Sequence, residues 1–322
     1  GATARPVIEA EGLCKSFGDN MAVDGLGFSV AGGSILGLLG PNGAGKTTTI
    51  KLLTTLLVPD AGRASVAGHD VEREPDAVRR NIGLAGQSAA VDEKLSVRQN
   101  LDLFGRLYHL PGPTRRKRVQ ELIERFGMAE YAERLAEALS GGERRRLDLV
   151  AALIADPPAI FLDEPTTGLD PRGRAAIWAE IRAMRDAGAA VVLTTQYLDE
   201  ADQLADDILI IDRGVVVASG TSDELKRQLG RDVLEVTVAD PARLEAAVNA
   251  LSASAAVTVD ASTVHLSVSG PEESLEALRR VDDAGVELAD FQLRRPTLDD
   301  VFIEITGRSA DPGATGEAEA AA

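Results

Sequence analysis

Up to about residue 230, short apolar runs alternate with amphipathic segments. The elements that this pattern predicts are, in chain order, strands at 7–12, 28–30 and Ile35–Leu39, a helix at Lys46–Leu57, a mostly helical segment at 88–140 broken at Pro111-Gly112-Pro113, a helix at Glu143–Ala155, a strand at Ala159–Leu162, a helix after Asp170-Pro171, a strand at Ala189–Thr195 and a hairpin of Ile208–Ile211 with Val215–Ala218. Strands that alternate with helices predict an α/β unit with a mostly parallel sheet, covered on both faces.

A second, smaller unit is predicted from about residue 230. Its elements are strands at Val233–Val238, Ala256–Val259, Val264–Val268 and Val286–Leu293 and helices at Pro241–Leu251, Glu272–Val281 and Thr297–Thr306. The order strand-helix-strand-strand-helix-strand predicts a ferredoxin-like α+β sandwich. We therefore expect a tail at 1–6, a first domain at 7–229, a second at 230–308 and a disordered tail at 309–322, which has too little apolar surface to fold.

The composition narrows the class of protein. The 322 residues are 44% hydrophobic and 26% charged, as is typical of a globular protein, and no apolar run approaches the ~18 residues of a membrane span. Cys14 is the single cysteine, which fits a reducing compartment, and no signal-peptide pattern opens the chain. We expect a cytosolic location. The net charge of −17 disfavours nonspecific binding to nucleic acid or anionic lipid, and the basic run at 115–118 is expected to be a solvated helix face.

Residues 40–48 carry the pattern of a phosphate-binding loop. The segment Gly40-Pro41-Asn42-Gly43-Ala44-Gly45-Lys46-Thr47-Thr48 fits G-x-x-x-x-G-K-[ST] and lies between a predicted strand and a predicted helix, as the motif requires. Glycines let backbone N–H groups face phosphate oxygens, and the helix N-terminus adds a favourable dipole. Lys46 is expected to bind the β- and γ-phosphates, and the Thr47 hydroxyl to bind Mg²⁺.

A second apolar strand ends in two carboxylates, Asp163 and Glu164. On its own this pattern fits a solvated strand end equally well, but together with the phosphate loop it indicates a catalytic edge. A buried strand delivers Asp163 to the carboxyl edge of the sheet, where α/β folds bind ligands, and Asp163 is expected to hold Mg²⁺ there. Glu164 is then the candidate general base or water-orienting residue at the γ-phosphate.

The segment Leu139-Ser140-Gly141-Gly142-Glu143 lies between these motifs. Ser140 and Glu143 form an S-x-x-E capping box, which by itself only starts a helix. The two glycines inside the box, however, leave N–H groups bare at a positive helix end, which suits an anion. The chain here resembles the ABC ATPase family: these residues match its signature, and Gln87, Gly168-Leu169-Asp170 and Phe17 fall where its Q-loop, D-loop and adenine-stacking aromatic are expected.

The resemblance covers residues 7–220 and implies a P-loop ATPase that works as a head-to-tail dimer. Each ATP would lie between the Lys46 loop of one copy and the Ser140–Gly142 signature of the other. The resemblance also implies that Phe17, Val23 and Asp170 contribute to nucleotide binding and that Gln87 reaches Mg²⁺ and the attacking water. The helical segment 88–140 would contact a separate membrane permease at the cytoplasmic side of the membrane.

One position departs from the family pattern. The family usually carries a histidine after the strand that follows the D-loop helix, whereas this chain has Thr194-Thr195-Gln196. Glutamine can donate a hydrogen bond to the γ-phosphate but cannot carry a proton or a charge. Gln196 is therefore expected to sense the nucleotide, with hydrolysis possible at a reduced rate.

A narrower resemblance is carried by 194–204, Gly142–Asp148 and Leu298-Asp299-Asp300-Val301-Phe302, which look like the daunorubicin-resistance group of ABC exporters. In that group glutamine is common at the position of Gln196. The resemblance implies export of amphipathic drugs or lipids through a permease. The C-terminal unit of the group either only supports the dimer or has a regulatory role, and the sequence leaves both open.

Two other classes of function are weighed against an exporter ATPase. The first is a regulator that binds ATP and hydrolyses it slowly, which Gln196 allows and Asp163 with Glu164 oppose. The second is an ABC protein that acts on ribosomes or DNA. The single ATPase unit, the lack of cysteine pairs and the charge of −17 oppose that class.

Overall fold

The computed structural model describes residues 6–86, 90–252 and 257–307. These residues form two compact units, the first ending at Ser222 and the second starting at Asp223. The elements of the first unit are, in chain order, β1 (Ile8–Phe17), β2 (Asn20–Val30), β3 (Ile35–Leu39), α1 (Lys46–Leu53), β4 (Ala61–Val66), β5 (His69–Asp70), α2 (Pro75–Arg80), β6 (Ile82–Ala85), α3 (Val97–Leu107), α4 (Gly112–Arg125), α5 (Gly141–Ala151), β7 (Ala159–Asp163), α6 (Pro171–Asp186), β8 (Ala190–Thr195), α7 (Leu198–Leu204), β9 (Asp207–Asp212) and β10 (Val215–Gly220), with short 3-10 helices at Ala129–Tyr131 and Ala136–Ala138.

A six-stranded sheet in the order β10-β9-β3-β8-β7-β6 forms the centre of the first unit. β10 pairs with β9 in the antiparallel sense, and the other neighbours pair in parallel. The carboxyl ends of β3, β8 and β7 therefore lie side by side at one edge. A four-stranded antiparallel sheet, β2-β1-β4-β5, completes the unit, and the predicted α/β class is confirmed.

The central sheet is covered by a hydrophobic core on each face. Along β8, Val191 and Leu193 belong to one core and Val192 to the other, because successive side chains of a strand point to opposite faces. The first core includes residues of α3 to α6, and the second includes residues of α1, β1 and β2. Burial on both faces explains why β3, β7 and β8 are continuous apolar runs.

The structure differs from the predicted elements in several places. α1 ends at Leu53 rather than Leu57, because Thr55 adopts a left-handed backbone and the N–H of Leu57 turns back to the carbonyl of Lys51. Strands β4, β5 and β6 and helix α2 were not predicted. The segment predicted as mostly helical contains α3 and α4, the break before α4 lies at the predicted Pro111-Gly112-Pro113, and the rest of its described part is loops and 3-10 turns.

The second unit has the predicted ferredoxin-like topology. Its elements are α8 (Ser222–Gln228), which begins one residue before the unit, β11 (Asp232–Val238), a 3-10 helix (Pro241–Arg243), α9 (Leu244–Ser252), β12 (Val257–Asp260), β13 (Thr263–Val268), α10 (Pro271–Asp283), β14 (Leu288–Arg294) and α11 (Leu298–Thr306). The sheet order is β12-β13-β11-β14, with antiparallel pairing throughout. One hydrophobic core includes residues of this sheet, α9 and α10.

A charged network fixes the start of α11. Asp300 accepts from the N–H of Thr297 at 2.7 Å and completes a capping box with that residue. Arg294 donates to both Asp300 oxygens, at 2.6 and 3.0 Å, and to Glu235 on β11 at 2.6 Å. Burial acts to raise the pKa of Asp300, but the hydrogen bonds from Arg294 and Thr297 hold that pKa below its ordinary value. This is the structural role of the central aspartate in Leu298-Asp299-Asp300-Val301-Phe302.

None of the helices in the described part of the chain is both long and apolar enough to cross a membrane.

Candidate functional site

The phosphate loop connects the end of β3 to the start of α1, and two of its glycines are required by close contacts. A Cβ on Gly40 would lie 2.2 Å from the carbonyl oxygen of Ile211, and a Cβ on Gly45 would lie 2.2 Å from that of Ala22. Gly45 also has a φ of 106°, which side chains rarely adopt. Between them, the N–H of Ala44 closes a turn with the carbonyl of Pro41. Asn42 and Gly43 are exposed, and Thr48 is half-buried.

Lys46 places a buried ammonium group inside this loop. Its side chain is only 4% exposed, and Nζ donates to the carbonyl oxygens of Gly40 at 2.6 Å and Pro41 at 3.0 Å. Burial lowers the pKa of Lys46, and the nearby charges of Glu164 and Asp163 act in the opposite direction. A buried ammonium that donates to neutral carbonyls gains from an anion in the loop. The loop therefore fits a phosphate group.

Asp163, at the end of β7, is hydrogen-bonded to both α1 and β8. Its Oδ1 accepts from the hydroxyl of Thr47 on α1 at 3.1 Å and from the hydroxyl of Thr194 on β8 at 2.6 Å. These oxygens are the ligand type that Mg²⁺ prefers. Among the described residues no group of three or more His, Cys, Asp and Glu side chains is arranged to hold a metal. Mg²⁺ typically takes one or two protein carboxylates together with water and substrate phosphates, so Thr47 and Asp163 fit that ion.

Glu164 follows Asp163 in a left-handed backbone conformation, with a φ of 49°. For a residue with a side chain this conformation costs about 1–3 kcal/mol, and such strain clusters at functional sites. The backbone is held there because the N–H of Glu164 donates to the hydroxyl of Thr194 at 3.0 Å and to its carbonyl at 3.2 Å. The carboxylate accepts from the Thr167 hydroxyl at 3.2 Å.

Arg145 is a positioning residue that the sequence did not single out. Its guanidinium donates to the carbonyls of Asp163 and Glu164, both at 3.2 Å, and to those of Pro165 at 2.8 Å and Gly86 at 2.6 Å. Asp148, one turn further along α5, pairs with Arg145 at 3.3 Å and accepts from the N–H of Ala90 at 2.8 Å. Burial lowers the pKa of Arg145 and raises the pKa of Asp148.

Arg145 and Asp148 also contact the chain on both sides of Gln87, which itself lies outside the described residues. Gly86 and Ala90 flank the undescribed segment 87–89, and α5 holds both of them through Arg145 and Asp148. The helix that begins at the signature is thus tied to both flanks of Gln87 and to the Glu164 loop. The spacing of Arg145 and Asp148 within Gly142–Asp148 was the only sequence signal for this connection.

Gln196 is half-buried and follows β8, which lies between β3 and β7. The N–H of Gly40 donates to the carbonyl of Thr195 at 3.4 Å, so the residue before Gln196 contacts the phosphate loop. The structure therefore brings Lys46, Asp163, Glu164 and Gln196 to one edge of the sheet.

Glu200 is a second buried group that the sequence did not indicate. Its Oε1 accepts from Thr166 at 2.8 Å and from the Trp178 indole at 3.0 Å, and burial raises its pKa. Thr166 lies two residues after Glu164, and Glu200 lies four residues after Gln196. Glu200 therefore connects the loops that carry Glu164 and Gln196.

The signature forms the N-terminus of α5, and its capping box is complete. The N–H of Glu143 donates to Ser140 Oγ at 3.3 Å, and the N–H of Ser140 donates to Glu143 Oε2 at 2.8 Å. That second hydrogen bond lowers the pKa of Glu143. Leu139 is buried, whereas a Cβ on Gly141 or Gly142 would meet no atom within 4 Å. In the described residues the side chains of Ser140 and Glu143 each accept from the backbone N–H of the other residue, Glu143 also accepts from Arg134, and neither side chain bonds to the phosphate loop.

The remaining predicted residues differ in their exposure. Phe17 is 50% exposed, with Lys15 Nζ 5.9 Å from its ring centre, so the ring is accessible to a base. Val23 is 1% exposed and packs in the core, and its contact with the nucleotide stays a prediction. Asp170 is the N-cap of α6 and accepts from the N–H of Gly173 at 2.8 Å, which leaves it at the exposed start of that helix.

Comparison with known proteins gives two family matches. The model described as "ABC transporter" matches residues 23–167, and the model described as "ATP-binding protein DrrA1-3-like, C-terminal domain" matches residues 220–306. Daunorubicin resistance ATP-binding protein DrrA3 of Streptomyces coeruleorubidus is 53% identical over 94% of this chain and 97% of its own. Daunorubicin/doxorubicin resistance ATP-binding protein DrrA of Streptomyces peucetius is 47% identical over 97% of this chain and 96% of its own. Nod factor export ATP-binding protein I of Ralstonia nicotianae is 39% identical over 96% of both.

A solved structure titled as the ATP-binding subunit of an ABC transporter matches with a TM-score of 0.63 and 28% identity, over 70% of this chain and 93% of that one. Another solved structure, of cbiO1 from Clostridium perfringens, matches with a TM-score of 0.63 and 25% identity, over 70% of this chain and 94% of that one. The chain belongs to the ATP-binding subunits of the ABC transporter family, in the group with a DrrA-like C-terminal domain. It binds ATP, and subunits of this family hydrolyse ATP, dimerise and act with a membrane permease.

Proposed function

We propose that this chain is the Mg²⁺-dependent motor of an exporter, working at the cytoplasmic face of the membrane through a separate permease. The observation that supports this most directly is the edge formed by β3, β8 and β7. A buried ammonium, two oxygen donors for a hard cation and a strained glutamate meet there. These are the parts that phosphoryl transfer to water requires.

Each residue of the edge has a separate role in the proposed reaction. Lys46 and the loop N–H groups neutralise the phosphates, and Thr47 with Asp163 holds Mg²⁺, which neutralises developing charge when bound. Gln87, which lies outside the described residues, would add an oxygen ligand to the ion. Glu164 orients the attacking water, and Gln196 donates to the γ-phosphate. Positioning and fixed charges supply most of the rate enhancement.

The second half of each site comes from a second copy in a head-to-tail dimer. The capping box satisfies the N–H groups of Ser140 and Glu143, while the surroundings of Gly141 and Gly142 are open enough for a ligand to approach the backbone. A helix N-terminus with accessible N–H groups stabilises a phosphate. Leu139 and Asp170 would then face the nucleotide from the partner side, and Phe17 would stack on the adenine from the phosphate-loop side.

The permease is expected to contact a groove between α3 and α4. A cavity of about 540 Å³ is lined there by apolar and charged side chains, among them Leu95, Leu103 and Arg106. Leu107, at the end of α3, is 62% exposed. A mixed apolar and charged groove suits a short amphipathic helix of a partner protein.

The transported compounds are proposed to be amphipathic drugs or lipids, because the relatives are named for daunorubicin resistance and Nod factor export. The test is to express the chain with a candidate permease in a drug-sensitive bacterium. We expect less daunorubicin to accumulate than with the permease alone, and no such decrease with Glu164→Gln. Equal accumulation in all three strains, while the purified chain hydrolyses ATP, would reject this substrate class and leave the ATPase intact.

A slowly hydrolysing regulator is the second candidate, because Gln196 cannot carry a proton. If Gln196 only donates a hydrogen bond, Gln196→His retains the donor and gains a titratable group. We expect turnover of Gln196→His to equal or exceed that of the wild type in a steady-state ATPase assay. A collapse of turnover in this variant, with ATP affinity unchanged, would count against the role assigned to Gln196.

A further inference from the structure

Glu200 lies in the first turn of α7 and is 0% exposed. Its Oε1 accepts from two other segments of the chain. The hydroxyl of Thr166 donates at 2.8 Å, and the indole N–H of Trp178 on α6 donates at 3.0 Å. Burying a carboxyl group is costly unless hydrogen bonds compensate for the loss of water. The loop after β7, helix α6 and helix α7 therefore meet at one buried oxygen atom.

The contact with Thr166 acts on the loop that carries Glu164. Thr166 is 1% exposed, and the next residue, Thr167, donates its hydroxyl to the Glu164 carboxylate at 3.2 Å. The backbone of Glu164 is held separately, because Arg145 donates to its carbonyl at 3.2 Å. Glu200 thus holds through a side chain the same loop that Arg145 holds through the main chain.

Helix α6 holds the segment that follows Gln196 by two further contacts. Arg174 on α6 donates to Asp199 at 2.9 Å, and its guanidinium carbon lies 4.8 Å from the centre of the Tyr197 ring. Tyr197 directly follows Gln196 in the chain. Together with the indole contact, α6 holds this segment at three positions. Asp199 is exposed and Tyr197 is half-buried, so the contact with the glutamate is the buried one.

We propose that Glu200 is a positioning residue for ATP hydrolysis. Its Oε1 fixes the loop of Glu164 to the loop of Gln196, and α6 is the common support of both loops. This inference rests on the roles proposed above for Glu164 and Gln196. A reaction that depends on two placed groups is sensitive to their separation, because a displacement of about 1 Å can cost about 100-fold in rate.

The proposed role requires a hydrogen-bond acceptor and not a charge. Burial raises the pKa of Glu200, the charge of Asp199 adds to this effect, and hydrogen bonds to the carboxyl group act in the opposite direction. A carboxyl group keeps acceptor capacity whether or not it is protonated. Glutamine has the same shape and keeps one oxygen acceptor, whereas leucine fills the space without an acceptor.

The experiment measures steady-state ATP turnover of the purified full chain and, separately, the Kd for ATP. Glu200→Leu is expected to lower kcat by about 10-fold or more and to leave the Kd unchanged, since the phosphate loop is intact. Glu200→Gln is expected to keep kcat within about 2-fold of the wild type, because the acceptor remains. Trp178→Phe removes one donor but keeps an aromatic ring, and should lower kcat by roughly 2- to 10-fold, as loss of one neutral hydrogen bond implies.

Trp178 is the single tryptophan of the chain, so its fluorescence reports on this contact. The emission maximum should move to shorter wavelength in Glu200→Leu, in which the indole N–H loses its acceptor, and should stay unchanged in Glu200→Gln. Ile181→Val is the control, because it shortens a buried side chain of α6 without removing a hydrogen bond. It should keep wild-type kcat. Circular dichroism and thermal unfolding establish that all variants fold.

The proposal is overturned if Glu200→Leu keeps wild-type kcat, if Glu200→Gln loses as much activity as Glu200→Leu, or if Ile181→Val shows the same loss. Trp178→Phe decides the matter if Glu200→Leu does not fold, and an unchanged kcat in Trp178→Phe then overturns the proposal. Glu164→Gln is measured in the same assay. If it lowers kcat while Glu200→Leu does not, only the positioning role fails, whereas unchanged kcat in Glu164→Gln rejects the proposed role of Glu164 itself.

Discussion

Glu164→Gln is expected to lower kcat for ATP hydrolysis by about 100-fold or more while ATP still binds. The amide is the same size as the carboxylate but cannot accept the proton of the attacking water. The backbone of residue 164 is fixed by Thr194 and Arg145 through main-chain atoms, so the loop geometry should survive the substitution. Because hydrolysis resets the dimer, ATP-bound dimers should accumulate, as measured by size-exclusion chromatography with Mg²⁺ and ATP.

The matched control for this prediction is Glu130→Gln, at an exposed position outside the edge. Its turnover and its elution should equal those of the wild type. If Glu164→Gln retained more than about a tenth of wild-type turnover, Glu164 would not be the residue that activates water, because general base catalysis contributes about 10²–10⁴-fold.

Lys46→Ala is expected to weaken ATP binding by about 100-fold or more, because it removes the only side-chain cation placed inside the phosphate loop by the described residues. The stability of the nucleotide-free protein should respond differently. A buried ammonium bonded to neutral carbonyls is costly, and burial lowers its pKa. We therefore expect the Tm of the nucleotide-free variant to be unchanged or higher, while the rise in Tm that ATP causes in the wild type is lost.

The control for the lysine substitution is Lys51→Ala, on the exposed face of the same helix. It removes the same charge and should leave both ATP affinity and the ATP-dependent rise in Tm unchanged. Nucleotide affinity is measured by calorimetry and Tm by scanning calorimetry with and without ATP. A Lys46→Ala protein that still gained Tm from ATP would show that the loop backbone alone provides the affinity.

The phosphate loop and the signature were predictable because their chemistry is local. The phosphate loop depends on backbone geometry and helix position within the few residues from Gly40 to Lys46, and the capping box from Ser140 to Glu143 spans four residues. The ferredoxin-like order of the second unit was also predictable, since apolar residues recur at different spacings in its strands and in its helices. Both predictions rest on information that lies within short stretches of the chain.

The hydrogen bonds that hold Asp163 and Glu164 in place at the sheet edge were not predictable, because they connect residues far apart in the chain. Thr194 contacts Asp163 from a neighbouring strand, and Arg145 contacts Gly86 across 59 positions. Similarly, β4 was missed because it is a largely polar strand of which only Ala64 and Val66 are buried, and it becomes a strand by pairing with β1. The burial of Val23 in the core is likewise visible only from the packing.

The central claim is that each ATP lies between the phosphate loop of one copy and the signature of another. The most direct test mixes two inactive proteins, Lys46→Ala and Ser140→Arg, and measures ATP turnover of the mixture. In a head-to-tail dimer the mixed pair has one intact site, formed by the wild-type loop of one copy and the wild-type signature of the other. We predict recovery to roughly a quarter of wild-type turnover, since about half of the dimers are mixed and each has one of two sites. No recovery, with mixed dimers demonstrated by differential tagging, would contradict the claim, because a site formed within one copy is broken in both proteins.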